Sequence, residues 1–291
     1  MTALAAIESW PVPTVAAGWR RADDGPTSTG PTGHRFALAS VTKPLVAYAV
    51  LVAVEEGSLA FDQPVTEPGA TVAHLLSHSS GLAPEADQES TSSRPGTRRI
   101  YSNQGFELLG QLLTESTGID IATYLTEAVL DPLGMTATAL DGSPAHGAVS
   151  TVDDLLRFGG ELLRPTLLAP ETVARATSPH LPGLDGVLPG YGRQVPNPWG
   201  LGFEIRASKS PHWTGSRNSP RTYGHFGRAG TFFWVDPALD GFCVALTDRE
   251  FGPWAIEAWP PFADGVVAEM AASTPGPATP GTATGPDSVG G

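Results

Sequence analysis

The chain has 291 residues, 41% hydrophobic and only 16% charged, with 34 glycines and 28 prolines, so it can bury one large core or two smaller ones between many loops. A net charge of −13 opposes docking on nucleic acid or on an anionic membrane. The single cysteine, Cys243, excludes an internal disulfide framework and a multi-cysteine metal site.

In chain order, the start lacks a basic stretch, and Glu8 interrupts the weakly apolar Leu4–Ile7. No signal peptide is expected there, which predicts a cytoplasmic protein. Val15–Arg21 reads as a strand. From Val41 to Glu56 the residues are apolar on nearly all sides and Gly57 follows, which predicts a buried helix with a glycine stop. Pro44 is tolerated in its first turn. The apolar run inside it, Pro44–Val54, is too short to cross a bilayer. A loop-rich stretch from Pro84 to Thr97 leads to predicted helices at Gln104–Thr117, Ile121–Leu130 and Thr151–Leu163. The last is preceded by Ser150, with Asp153 three residues on, close to a capping box. Pro170 begins one more short helix.

The pattern then changes to strands at Trp199–Ile205, Thr231–Val235 and Phe242–Thr247, the last two joined by a hairpin connection at Asp236–Gly241. A final helix is predicted over Phe262–Met270. Residues 272–291 are almost all Ala, Ser, Thr, Pro and Gly and read as a disordered tail. Strand, helical block, strands, helix: this order predicts an α/β (α+β) fold, an antiparallel sheet assembled from both ends of the chain with a mostly helical domain inserted. The catalytic unit is expected over 1–271. Its sheet part covers about 1–36 plus 197–271, and its helical part about 37–196.

Three segments carry candidate chemistry. Ser40-Val-Thr-Lys43 is an S-x-x-K; at the start of a helix its serine and lysine share one face, one turn apart. The chain has only two lysines, so a chance pairing at this spacing is expected well under once. A serine hydroxyl needs a base, and a lysine amine can be that base only when neutral, which burial in the apolar helix would favour. The helix start adds positive potential and an N–H for a developing oxyanion. The plainer alternative is a serine cap with a solvated lysine. Tyr101-Ser-Asn103 offers a proton-carrying phenol and an amide for a substrate. Taken alone, it fits a helix cap and a packed aromatic better. Tyr223-Gly-His225-Phe-Gly227-Arg228 precedes an aromatic strand, and its glycines let a ligand approach the backbone. Alone, it reads better as a glycine-rich strand edge with a satisfied histidine.

Together, in this order, the segments resemble the serine β-lactamase and penicillin-binding-protein superfamily. Within it they are most similar to the class C β-lactamase-like branch of esterases, D-aminopeptidases and D,D-peptidases, with its S-x-x-K, Y-x-N, and K-T-G or H-x-G motifs. His74–Gly81, Pro95–Asn103, Asp131–Met135, Ser150–Phe158 and Gly230–Pro237 add to the likeness, which runs from about Val15 to Met270. The resemblance implies a serine at the head of a central helix, in a cleft between helices and sheet. Ser40, Lys43 and Tyr101 would be catalytic. Asn103, His225, Gly227 and Arg228 would bind substrate, with the Ser40 and Arg228 amides as oxyanion hole. Ser40 would carry the acyl group, and Lys43 and Tyr101 would share the proton transfers. No metal or cofactor is implied.

His225-Phe-Gly227 departs from K-T-G, whose lysine helps hold a β-lactam carboxylate in the family; a mostly neutral histidine does this less well. The expectation is therefore a serine hydrolase of small esters or amides, a carboxylesterase first. D-aminopeptidase or D,D-peptidase, β-lactamase and acyltransferase activities follow. A non-catalytic ligand-binding module on the same fold is the alternative of another class. Between Gly186 and Val235 six basic residues face one acidic residue, Glu204, which predicts a substrate with a negative group and Arg221 or Arg228 as contacts. His74 and His78 read as structural, Cys243 as core, and Trp199 and Trp213 as pocket walls or packing anchors. No nucleic acid or membrane partner is expected.

Overall fold

The computed structural model describes residues 2–21, 24–66, 69–85, 87–88 and 93–272. Both ends of the chain contribute to one sheet. Its strands are β1 (Val15–Arg21), β2 (Thr27–Thr29), β3 (Glu204–Ile205), β4 (Tyr223–Gly227), β5 (Thr231–Asp236) and β6 (Gly241–Thr247). They run antiparallel in the order β3-β4-β5-β6-β1-β2. Val15 pairs with Thr247 and Arg21 with Gly241, so the first strand closes against the last.

Side chains alternate across this sheet, and both faces are buried. Phe233, Val235, Phe242, Val244 and Leu246 enter one core, and Phe232, Trp234, Cys243 and Ala245 the other. The first core is shared with helices α1 (Thr42–Glu55), α2 (Val72–Leu76), α3 (Asn103–Thr117), α4 (Ile121–Leu125), α5 (Val152–Leu163) and α6 (Pro170–Ala176). The second lies under a short turn, Ala3–Ser9, and α7 (Pro253–Ala272).

Helix α1 is buried at every residue from Thr42 to Ala53, as the apolar run from Pro44 onward requires, and Gly57 follows at φ 78°. Ser102 caps α3 by accepting from the Gly105 N–H at 3.1 Å, and Gly118 ends it in the left-handed region. The expected helix at Ile121–Leu130 stays α-helical only to Leu125, then widens into a π turn over Thr126–Leu130.

Three predicted elements differ. The cap of α5 is Thr151, whose hydroxyl accepts from the Asp154 N–H. Ser150 belongs to a short strand, Ala148–Ser150, and its hydroxyl meets Thr138. The strand expected at Trp199–Ile205 is reduced to Glu204–Ile205 plus one bridge from Trp199 to Glu204. Gly202, at φ 94°, turns the chain there, and a Cβ on it would collide with Ala47 of α1. The last helix starts at Pro253 rather than Phe262 and runs through Pro260 and Pro261. Proline removes a helix donor and crowds the preceding turn; here the burial of Ala255, Trp259, Phe262 and Val266 against the sheet carries the helix past it. The predicted tail beyond Ala272, and part of the loop between Pro84 and Thr97, lie outside the described residues. Among the described residues no helix is long and apolar enough to cross a membrane.

Candidate active site

Ser40 sits in a single 3₁₀ turn, Ala39–Val41, that leads into α1. Ala39 before it has φ 46°, a left-handed conformation that costs an L-residue roughly 1–2 kcal/mol. Neighbours hold this turn in place. The Leu38 N–H donates to Ala148 at 2.8 Å, and the Thr231 hydroxyl donates to the Leu38 carbonyl at 2.8 Å. Gly227 lies directly against the turn, where a Cβ would strike the Leu38 carbonyl oxygen. The end of β4 can therefore touch the turn only as glycine.

Lys43, in the first turn of α1, is fully buried. Its ammonium donates to Asn103 Oδ1 at 2.7 Å, to the Ala145 carbonyl at 2.9 Å and to Ser40 Oγ at 3.4 Å. All three acceptors are uncharged. It also lies 4.7 Å from the Tyr101 ring centre and 5.4 Å from that of Phe106. Burial lowers its pKa to about 7, against an upward pull from Glu85 and Glu107. Near neutral pH the amine is thus divided between its two protonation states.

Tyr101 borders the same cleft as Ser40, and the two side chains interact. Burial pushes the phenol pKa up, and the hydrogen bond from Ser40 opposes that only in part, so the group stays a neutral phenol. Its ring is held by His78 (centroids 4.6 Å apart), which packs edge-on against Trp199. His78 Nδ1 accepts from the Ser102 N–H at 3.1 Å. Its buried ring therefore fixes the Tyr101–Asn103 turn. Asn103 opens α3, with Oδ1 on Lys43 and Nδ2 donating to Glu85 Oε1 at 2.6 Å. Both ends of the amide expected to meet a substrate are thus engaged by protein groups.

On β4, His225 is buried, with Nδ1 2.6 Å from the Phe226 carbonyl. That contact places the proton on Nδ1. Burial, reinforced by the charge of Lys43, lowers the imidazole pKa to about 3, so the ring is neutral at physiological pH. Beyond the strand, the Arg228 side chain is exposed and lies 3.9 Å from Glu250.

These residues border one cleft of about 590 Å³. Ser40, Tyr101, Asn103, His225, Arg228, Glu85 and His146 give it polar groups, and Leu188, Pro189, Trp199, Phe226 and Phe251 give it apolar walls. Of the six basic residues in the 186–235 segment only Arg228 lines it. Arg221 borders a separate depression with Pro220, Pro237 and Asp240. Arg193 pairs with Asp185, Arg206 donates to the carbonyls of Gly215 and Ala207, and Lys209 is buried on Glu204. Sequence neighbours on a looping segment need not share a surface, and Arg221, unlike Arg228, does not line the cleft. Trp213 is also no wall: it is core, with its N–H on Glu204 at 2.9 Å. His74 caps α2 with Thr71.

Contributors that the sequence motifs do not mark include Glu85, His146, the Ala145 carbonyl, Leu188, Pro189 and Phe251. None belongs to a motif, and a backbone carbonyl leaves no mark in a sequence. Among the described residues no group of three or more His, Cys, Asp or Glu side chains could hold a metal ion.

A buried lysine beside a serine at a helix start, on an antiparallel sheet backed by helices, defines the architecture of serine β-lactamases and penicillin-binding proteins. The β-lactamase family model matches residues 12–265, and the chain belongs to that family. A crystal structure of a β-lactamase from Mycobacterium bovis superposes with a TM-score of 0.90 at 55% identity, covering 92% of this chain and 99% of that one. Esterase EstB from Burkholderia gladioli is 25% identical, across 74% of this chain and 78% of its own length. Simvastatin synthase (LovD) from Aspergillus terreus shares the fold, with a TM-score of 0.76 at 18% identity over 91% of this chain and 96% of that one.

Proposed function

We propose that the protein is a carboxylesterase that works through an acyl-enzyme on Ser40. The observation that carries this reading is the buried Lys43 amine, held 3.4 Å from Ser40 Oγ by uncharged acceptors only. In its neutral form Lys43, with Tyr101 beside it, takes the Ser40 proton as Oγ attacks the ester carbonyl. The carbonyl oxygen becomes an oxyanion, stabilised by the Ser40 and Arg228 N–H groups. The proton then passes to the departing alcohol as its bond to the acyl carbon breaks, leaving the acyl group on Ser40. Water, giving its proton to the same base, attacks the acyl carbon. The acid is released and the Ser40 hydroxyl restored.

Two features favour a neutral or weakly polar ester. The cleft walls are largely aromatic and aliphatic, and the imidazole at the strand motif is uncharged. Any negative group on the substrate would meet Arg228. Hydrolysis of β-lactams is the second reading, supported by the 55% identity to a structure described as a β-lactamase. The esterase likeness supports the first.

A panel of p-nitrophenyl esters, D-amino-acid anilides and nitrocefin, run on wild type and Ser40→Ala, separates them. Ester turnover that vanishes in Ser40→Ala with negligible nitrocefin hydrolysis is the expected result. Nitrocefin turnover that outpaces every ester overturns the preference. Failure of a fluorophosphonate to label wild type faster than Ser40→Ala removes the hydrolase reading altogether. In that case the fold would serve as a non-catalytic ligand-binding module. Neutral and acidic acyl substrates compared in Arg228→Ala, with Arg221→Ala as control, test the anionic contact: only the first should change the ratio.

A further inference from the structure

We infer that Glu85 is a positioning residue of this site, whose carboxylate fixes the Asn103 amide and through it aims the Lys43 amine at Ser40. The inference rests on the acyl-transfer reading only for what the amine goes on to do. The contacts form a chain: Glu85 Oε1 to Asn103 Nδ2 at 2.6 Å, Asn103 Oδ1 to Lys43 Nζ at 2.7 Å, and Lys43 Nζ to Ser40 Oγ at 3.4 Å.

An asparagine amide has a donor end and an acceptor end of nearly the same shape. A carboxylate only accepts, so Glu85 admits only the Nδ2 end and turns Oδ1 toward Lys43. That choice matters once Lys43 loses its proton. A neutral amine has two N–H bonds and one lone pair. With the amide held this way, the two N–H bonds go to Asn103 Oδ1 and the Ala145 carbonyl. The lone pair is left for the third neighbour, Ser40. A flipped amide would present Nδ2 to the lone pair and occupy it.

The Glu85 side chain is exposed, but the two residues just before it are tied to the site. The Asn103 N–H donates to the Pro84 carbonyl at 2.8 Å, and the Ser102 hydroxyl to the Ala83 carbonyl at 2.5 Å. The other groups around Lys43 do not supply the same control. Glu107, on α3, takes a hydrogen bond from Ser143 instead. His78 and His225 are held neutral, and Tyr101 is a neutral phenol. Glu85 is thus the carboxylate joined to the amine by hydrogen bonds, and it also draws the amine's pKa upward.

The chain's two lysines make a direct test practical. With lysine carrying a ¹³C label at Cε, NMR follows two side-chain signals, and Lys209 is the internal control. Expected on Glu85→Gln and Glu85→Ala is a Lys43 pKa lower by about one unit, with Lys209 unmoved. The rate of Ser40 labelling by a fluorophosphonate, read on its high-pH plateau, should fall about tenfold, because the lone pair is no longer aimed. Glu85→Asp, which keeps the charge, should stay nearer to wild type in both. An unchanged plateau overturns the inference, whether or not the pKa moves, since a carboxylate acting by charge alone would shift only the pKa. Absence of Ser40 labelling in wild type overturns the hydrolase reading instead, and is distinguishable because the variants are then never reached.

Discussion

Both lysines of this chain are buried, and their surroundings make them opposites. Lys43 meets an amide oxygen, a peptide carbonyl and a serine hydroxyl. Lys209 meets the carboxylate of Glu204 and the Pro198 carbonyl, and the same carboxylate takes hydrogen bonds from His212 and from Trp213 at 2.9 Å each. Burial lowers the pKa of both lysines, but Glu204 opposes this at Lys209. Its own carboxyl is held well below the usual range by His212 and Lys209, despite its burial. The same side chain, equally withdrawn from water, meets neutral acceptors in one place, which favour the uncharged amine, and a carboxylate in the other, which favours the cation. Burial sets the direction of the shift, and the partner decides what the group can do.

The sharpest way to break this comparison is to remove each amine in turn. Lys43→Met should cut ester turnover and Ser40 labelling by at least about 10³-fold and leave the melting temperature equal or higher, because a costly buried amine has gone. Lys209→Met should do the reverse. It strands Glu204 without its cation and should cost about 3–5 kcal/mol of stability, seen as a large fall in melting temperature, while the folded protein at low temperature keeps most of its Ser40 reactivity. Thermal melts and labelling rates measured on both variants decide it. If Lys43→Met melts far below wild type, the two lysines are alike and the contrast fails.

The second lysine also shows what the sequence could not convey. Lys209 reads there as one of six basic residues facing a cleft, yet it is neutralised by Glu204, which lies five positions upstream. Ion pairing between neighbours on a folded-back loop leaves no periodic signal. The segment around Trp199 misleads for a related reason: its apolar alternation looks like a strand, but Gly200 and Gly202 turn the chain against α6 and α1, where a Cβ would strike Ala176 and Ala47. Prolines 260 and 261 hide the length of α7, because local propensity against a helix is overruled by burial against the sheet. What was legible had strong local signatures. Helix α1 is apolar from Pro44 to Val54, α3 ends on a glycine, and β5 and β6 are aromatic and β-branched around a tight connection. The Ser40–Lys43 pair, Tyr101 and His225 are far apart in sequence, and they meet because the fold brings the starts of α1 and α3 to the strand β4. Glu85 could not be found: it acts through one hydrogen bond to Asn103, from a loop without pattern.

A smaller effect sharpens the comparison by making one site resemble the other. Asn103→Asp, made together with Glu85→Gln so that an amide rather than a second carboxylate faces it at 2.6 Å, sets a carboxylate beside Lys43, as Glu204 is set beside Lys209. The amine should then hold its proton more tightly, its pKa rising by about 1–3 units. The expected result is a loss of about 10- to 100-fold in kcat/KM at pH 7, recovered in large part as the pH is raised. In wild type, kcat/KM should climb tenfold per pH unit below about 7 and level off above it, following the neutral fraction of Lys43. An acid limb in this double variant that coincides with wild type would show that the neutral acceptors are not what sets the base.

The smallest expected effect lies in stability. In the unfolded chain Lys43 titrates near its ordinary value of 10.5, and in the fold at about 7. Between those values the unfolded state binds the extra proton, so raising the pH favours the fold. The penalty for burying this amine is fully present below pH 7 and is relieved progressively up to about 10.5. Lys43→Met has no such dependence. Its stability advantage over wild type should therefore be greatest in acid and shrink by about 1 kcal/mol between pH 6 and pH 8. Urea unfolding of both proteins at the two pH values measures the difference directly. A gap that stays constant would mean that Lys43 keeps its proton across this range, and that its setting is closer to that of Lys209 than the neutral contacts imply.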